Sequence, residues 1–351
     1  MLGLDIGGAN TKAAYVQTLK GVIKDVHVVV EYFPVWKNSY NLGQVLQKLN
    51  DAVGGRFDAV GVTMTAELAD VYQTKREGVE HILGCVREAF CNLPIFVLNT
   101  NANLECFEEA MTSPLGVAAA NWVATGWLVS QYFENCVVVD VGSTSTSIVP
   151  ILGGKLAARG KTDLDKLVLG ELVYTGCLRT NLTAIVQTVP VRGMVSTVSS
   201  ELFALSGDVH LILGNINSEQ YISETADGKG ATRREALTRL ARLVCADTEM
   251  LTEKELIIIA QHVYEKQIQQ ITTGLSQVYK HVKNATISAK VPVLIAGLGK
   301  KFLAYKAAKQ VNADVIVDLG ELLPNSVSLA VPAVGVALMT AKHVEEKNYD
   351  P

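Results

Sequence analysis

The chain has 351 residues, 49% of them apolar and 19% charged, with 31 basic against 35 acidic side chains, a net charge of −4 and a mean hydropathy of +0.24. That length suits two domains with separate cores, and the apolar content excludes a disordered or coiled-coil chain. The near-neutral balance leaves no whole-protein field for nucleic acid or anionic lipid, so no partner of either kind is expected and any anion must be held locally.

What reads as a first strand begins at Leu2, so a signal or transit peptide is not expected and a cytoplasmic location is. The strand runs into Asp5-x-Gly7-Gly8-Ala9-Asn10-Thr11-Lys12 and is followed by a β-prone run at Ala13–Val16. Further strands are expected at Val26–Phe33, Ala59–Thr65 and Ile95–Leu98, with helices around Leu42–Val53 and Val79–Phe90. Gly116–Phe133 is interrupted by Asn121, Thr125 and Ser130, short of the roughly 20 apolar residues that a bilayer requires, and reads as a buried helix. At Val139 the opening pattern returns as Val139-Asp140-Val141-Gly142-Ser143-Thr144, with a β-prone run at Ile148–Ile151. A polar insertion is expected over about 156–247, then a helix near Glu253–Val282 and a strand at Val291–Ala296. The turn Gly297-Leu298-Gly299 opens a helix, and after a strand at Val315–Asp318 the small-residue helix Val331–Ala341 is expected to pack on the 116–129 helix. The boundaries read as 1–133 plus 331–351 for a first lobe and 134–330 for a second.

Each glycine turn puts a carboxylate at a strand end beside backbone that can approach an anion closely, and exposed N–H groups there form a concavity for phosphate. The first cradle is Gly7, Gly8, Asn10 and Lys12, the second Gly142, Ser143 and Thr144. Asp5 and Asp140 would repel phosphate alone, which makes sense if they hold Mg²⁺, a cation that binds carboxylates together with phosphate oxygens. An Asp before Gly is by itself an ordinary turn, and the duplicate 135 positions on weighs against that reading. Six cysteines without a CxxC pair and six histidines without HExxH indicate no disulfide framework and no zinc centre. Gly297-x-Gly299 has Phe302 where a dinucleotide fingerprint needs its third glycine, and Gly160-Lys161-Thr162 has Lys155 where a P-loop needs its first.

These hairpins, with Ala296-Gly297-Leu298-Gly299, resemble the superfamily of acetate and sugar kinases, Hsp70 chaperones and actin. The resemblance implies an α/β, two-lobed fold of duplicated ribonuclease H-like domains around a central cleft, in which the first two loops hold phosphates and Gly297 and Gly299 touch the adenosine of ATP. Sugar kinases of this superfamily commonly carry their base in an Asn-Asp-Ala-Asn loop. The comparable stretch here, Asn99-Thr100-Asn101-Ala102-Asn103, has no Asp, and an amide cannot accept the proton. Glu105 or Glu108 would have to serve instead.

Arg159, Lys161 and Arg179 are candidates for a substrate anion, and the arginine-rich helix with Arg233, Arg234, Arg239 and Arg242 reads as a solvated face. The strings from Thr63 to Val79, Ala118–Trp122, Gly170–Thr180 and Thr225–Gly230 resemble the hydantoinase/oxoprolinase-related branch linked to tetrahydromethanopterin C1 metabolism, which has archaeal members in methanofuran biosynthesis. That resemblance implies a transferase moving a furanylmethyl group from its diphosphate to a phenol oxygen with release of diphosphate, its substrates a diphosphate and a phenolic amine. Glu67, Asp70 and Glu171 are the candidate bases. Two other readings stay open: an ATP-dependent kinase or amidohydrolase, and a nucleotide switch without group transfer. Self-association is also left open.

Overall fold

The computed structural model describes residues 1–19, 22–54, 56–287, 290–323, 327 and 330–348. The final residues assigned above to the first lobe, 349–351, lie outside them. Contacts divide the chain into one unit of Met1–Asn135, Val149–Asp165 and Leu319–Pro351 and a second of Cys136–Ile148 and Lys166–Asp318.

The first unit is built on a six-stranded sheet of β1 (Leu2–Ile6), β2 (Asn10–Leu19), β3 (Val22–Tyr32), β4 (Val60–Met64), β5 (Ile95–Leu98) and β6 (Leu104–Cys106), in the order β3-β2-β1-β4-β5-β6. β1 and β2 are antiparallel, as are β2 and β3, whereas β1, β4 and β5 run parallel. Every residue of β1 and β4 is buried, because helices cover both faces of the sheet. On one face the helix Leu42–Val53 buries Leu42, Leu46, Leu49 and Val53, a stripe with helical spacing, and ends on left-handed Gly54. The neighbouring helix Lys75–Ala89 starts where the Thr74 hydroxyl accepts from the Glu77 amide, and buries Val79, Ile82, Leu83 and Val86. The helix Val331–Asn348 covers the other face. It sits so close that a Cβ on Gly3 would strike the Ala333 carbonyl and one on Gly61 the Thr340 hydroxyl.

The second unit's sheet contains β7 (Cys136–Val141), the start of β8 (Thr146–Leu152), β10 (Leu172–Val173), β13 (Pro292–Ala296) and β14 (Val315–Asp318), ordered β10-β8-β7-β13-β14. β9 (Lys155–Leu156) pairs with the end of β8, and β11 (Thr188–Val191) with β12 (Met194–Thr197) in a separate hairpin. Both sheets therefore read third-second-first-fourth-fifth in their own strand sequence, with the fourth and fifth parallel to the first. This is the ribonuclease H-like order twice over, and it places the chain in the α/β, actin/Hsp70/sugar-kinase-like class.

Several elements differ from the sequence expectation. The 116–133 helix breaks into Pro114–Val117 and Asn121–Ser130 around Ala119 at φ 51°, and the turn after β13 opens a π-helical segment, Lys300–Ala304. β10 lies inside the stretch read as an insertion, so part of that stretch is sheet. Arg239 is fully buried rather than solvated: its guanidinium sits 2.7 Å from Asp208 and 3.0 Å from Asp227. Among the described residues no helix is long and apolar enough to cross a membrane.

Candidate functional site

In the first unit, β1 and β2 form the hairpin that carries the Asp5 motif. Its turn closes with the Gly7 amide donating to the Asn10 carbonyl at 3.0 Å, and a Cβ on Gly7 would lie 2.7 Å from that oxygen. Gly8 has nothing within 4 Å of where its Cβ would be, while its carbonyl and that of Ala9 accept the Val35 and Phe33 amides, each at 2.9 Å. Asp5 is buried, with Oδ2 3.4 Å from the Lys12 ammonium and Oδ1 without a hydrogen-bond partner. The side-chain oxygens of Asn10, Thr11 and Thr63 are likewise buried and unpartnered, and Thr63 lies beside Asp5 in the β1/β4 register. Buried polar atoms cost stability unless something pairs with them. Among the described residues no group of three or more His, Cys, Asp or Glu could hold a metal. A single orphaned carboxylate oxygen beside a phosphate cradle nevertheless suits Mg²⁺, which takes few protein ligands and draws the rest from phosphate and water.

β4 runs parallel to β1 and ends at the same edge, where the Thr65 amide donates to Ile6. The short turn Ala66–Leu68 thus brings Glu67 beside this hairpin. The Glu67 side chain is wholly buried, and among the described residues its ion-pair partner is Lys75, whose Nζ lies 3.2 Å from Oε1 and 2.8 Å from Asp163 Oδ2. Neither carboxylate oxygen of Glu67 has a hydrogen bond. Burial pushes the Glu67 carboxyl up from its ordinary range, and the Lys75 charge pulls it part of the way back. Asp70, by contrast, is exposed beyond this turn.

In the second unit, β7 and β8 repeat the hairpin, the Gly142 amide donating to the Ser145 carbonyl at 2.9 Å. A crossing segment takes up this tip's carbonyls, as the Val35 and Phe33 amides take up those of Gly8 and Ala9 in the first hairpin. Cys177 donates its amide to the Gly142 carbonyl at 3.0 Å, and Leu178 and Arg179 donate theirs to Ser143, each at 3.0 Å. The Arg179 guanidinium donates to the Thr144 hydroxyl at 3.1 Å, and a Cβ on Gly176 would lie 2.5 Å from Thr144 backbone atoms. Gln267 holds this strap from behind, donating to the Thr175 hydroxyl at 2.9 Å and the Gly176 carbonyl at 2.8 Å, and is itself paired with buried His210 at 2.9 Å. The Gly297 turn packs on the end of β7: a Cβ there would strike the Val141 carbonyl and Asp140 Oδ1, and the Gly299 amide donates to Val141 at 3.0 Å. Asp140, Gly142–Thr144, Arg179, Gly297 and Gly299 therefore share one region of this unit. Glu171 is buried at the β8 edge, where its carbonyl accepts the Ile148 amide.

The remaining candidates separate. Lys161 belongs to the first unit, where it donates to the Thr100 carbonyl at 3.1 Å, and Arg179 to the second. Arg159 is exposed in the same segment. The Asn99–Asn103 loop is organised by its amides: Asn99 Oδ1 accepts from the Asn101 and Asn103 amides, both at 2.9 Å, and its Nδ2 donates to Glu105 at 2.7 Å. Glu105 accepts from Asn99 through Oε1 and leaves Oε2 buried without a partner, and Glu108 pairs with Arg87 at 2.6 Å. Lys75, Asp163, Gly176 and Gln267 are not singled out by the sequence. Lys75 lies in the charged run after Thr74, but its partner Asp163 is 88 positions away.

A family model described as hydantoinase/oxoprolinase matches residues 58–343. The (4-{4-[2-(gamma-L-glutamylamino)ethyl]phenoxymethyl}furan-2-yl)methanamine synthase of Methanocaldococcus jannaschii is 39% identical over 347 residues, 99% of each chain. The synthase of the same name from Methanococcus vannielii is 35% identical over 224 residues, 62% of this chain and 97% of that one. Among solved structures, an acetone carboxylase without nucleotide aligns over 96% of this chain and 69% of its own with a TM-score of 0.55 and 8% identity, a likeness of fold alone.

Proposed function

The chain belongs to the hydantoinase/oxoprolinase family, and on that footing we propose that it is the transferase of methanofuran biosynthesis that joins aminomethylfuranmethanol diphosphate to γ-glutamyltyramine. The product is an aryl furanylmethyl ether, and diphosphate leaves. The observation that carries this reading is the 39% identity to a synthase of that ether along essentially the whole of both chains. Two features support it independently: a glycine turn beside an orphaned carboxylate oxygen, and a loop without an acidic residue where sugar kinases carry their base.

In this reading the bond between the furanylmethyl carbon and diphosphate breaks with its electron pair leaving on diphosphate, and the phenol oxygen forms the new C–O bond. The Gly8 backbone N–H at the turn binds the leaving group, the Gly7 amide being spent on the Asn10 carbonyl, and the Lys12 ammonium faces the charge that develops there. Mg²⁺ held by Asp5, with Asp140 the second proposed ligand, would supply Lewis-acid neutralisation of that charge. A phenol with a free pKa of about 10 must lose its proton as it attacks, and Glu67 is the proposed acceptor. Its burial raises its affinity for that proton, while Lys75 keeps the carboxylate form accessible.

Incubation of the purified protein with both substrates and Mg²⁺ is expected to release diphosphate and yield the ether by mass spectrometry; folded protein that makes no ether overturns the reading. Glu67→Gln should lower kcat by about 10²-fold, the scale of a lost general base, and Asp70→Asn should not. A second reading, an ATP-using amidohydrolase, is favoured by the Gly297 turn against Asp140. It requires ATP binding and substrate-dependent ADP release, which the transferase does not.

A further inference from the structure

A cavity of about 370 Å³ lies within the first unit, bounded by the helix Asn121–Ser130, the Thr100–Ala102 loop and the segment after β8. That volume is in the range of small-ligand pockets, roughly 300–1,000 Å³. Its walls include Trp122 and Trp127, two of the chain's three tryptophans, together with Asn101, Gln131, Lys155 and Lys161. Both charged residues of its lining are lysines, and no carboxylate takes part. Lys161 spends one donor on the Thr100 carbonyl, leaving two of its three ammonium hydrogens for another acceptor. From Trp122 to Gln131 the helical wall is about 13 Å long at ~1.5 Å per residue, enough for an extended ligand rather than a compact one. Two indole side chains set among polar groups, with two cations and no anion, select an elongated aryl compound that carries a carboxylate.

We infer that this cavity binds the acceptor of the transfer reaction as an aryl amide with a free α-carboxylate, the carboxylate on Lys155 and Lys161 and the stem along Trp127. The identity of the acceptor rests on the transferase reading; the chemistry of the cavity does not.

The test is isothermal titration of the full-length protein, with no furan diphosphate present, using γ-glutamyltyramine and the 4-aminobutanoyl amide of tyramine, which lacks only the carboxylate. The first ligand is expected to bind at least tenfold more tightly. Lys155→Met and Lys161→Met should each weaken it several-fold and leave the second ligand unchanged, and Trp127→Ala should weaken both, with melting curves showing each variant folded. Equal affinity for the two ligands, or wild-type selectivity in the double lysine variant, overturns the proposal. Ether formation with an unchanged acceptor KM in the lysine variants removes this subsite and leaves the transferase. Selective, lysine-dependent binding without any ether product supports the cavity and removes the transferase.

Discussion

Gly7 and Gly142 donate equivalent hydrogen bonds across their turns, at 3.0 and 2.9 Å, yet the two hairpins have different surroundings. Across the first, the Val35 and Phe33 amides take up the Gly8 and Ala9 carbonyls, and Asp5, Asn10 and Thr63 hold buried side-chain oxygens without a partner among the described residues. Above the second, the strap Thr175–Thr180 takes up the Gly142 and Ser143 carbonyls and leaves no room for a Cβ at Gly176. The duplicated turn is thus closed by a crossing segment both times, and the difference lies in the side chains: unsatisfied oxygens flank the first, whereas Arg179 bonds the Thr144 hydroxyl on the second. Unsatisfied buried polar atoms are carried at a cost that the second hairpin does not bear in the same way.

Removing the space beneath the strap should have the largest effect. Gly176→Ala places a methyl 2.5 Å from Thr144 backbone atoms, and about 3 kcal/mol of stability should be lost, as read from urea unfolding. A wild-type midpoint in that variant would show that the strap is not seated on the loop.

Acid should open the same strap from behind. His210 is fully buried, and burial lowers its pKa from 6.5 to about 4. Above about pH 6.5 the ring is neutral in both folded and unfolded chains and the contribution is whole. As pH falls from there toward 4 the unfolded chain takes the proton first, and up to about 3 kcal/mol is lost. Hydrogen exchange across Thr175–Thr180 should quicken over that window while the Gly7–Asn10 turn does not follow; equal response of both hairpins would erase the distinction between them.

Asp5→Asn tests the first hairpin. Turnover should fall about 100-fold, or ~2.7 kcal/mol in the barrier, with the melting temperature unchanged or raised as a buried charge disappears. Full activity would remove the proposed metal and diphosphate role. The smallest change is expected from Gly8→Ala, below ~1 kcal/mol in stability because the position is unobstructed, with any loss appearing in diphosphate affinity.

The elements were legible where apolar periodicity or a turn residue set them. Leu42–Val53 follows from one helical stripe, and both hairpins follow from Asp-x-Gly after an apolar run. The break at Ala119 was not legible, because the surrounding residues are uniformly apolar and only their packing divides them. Arg239 was misread for a related reason: its helix has a charged composition, and the carboxylates that let it be buried come from Asp208 and Asp227, outside that helix. Of the candidate site, Asp5, Lys12 and the glycine turns could be found from a local motif. Lys75 could not, since its ion pair with Glu67 depends on a helix packing back over a strand end and its bond to Asp163 spans 88 positions.

The sequence by itself determined the duplication, the α/β alternation and the two glycine turns, because these depend on residues within a few positions of one another and on the pattern of apolar side chains. Tertiary structure alone decided which segment crosses each turn, that Glu67 is buried beside a lysine while Asp70 meets solvent, and that Lys161 bonds the Thr100 carbonyl while Arg179 bonds the Thr144 hydroxyl. Each of those outcomes is set by a contact between segments far apart in the chain, and the free energy of such a contact depends on what surrounds it after folding, which no local pattern encodes.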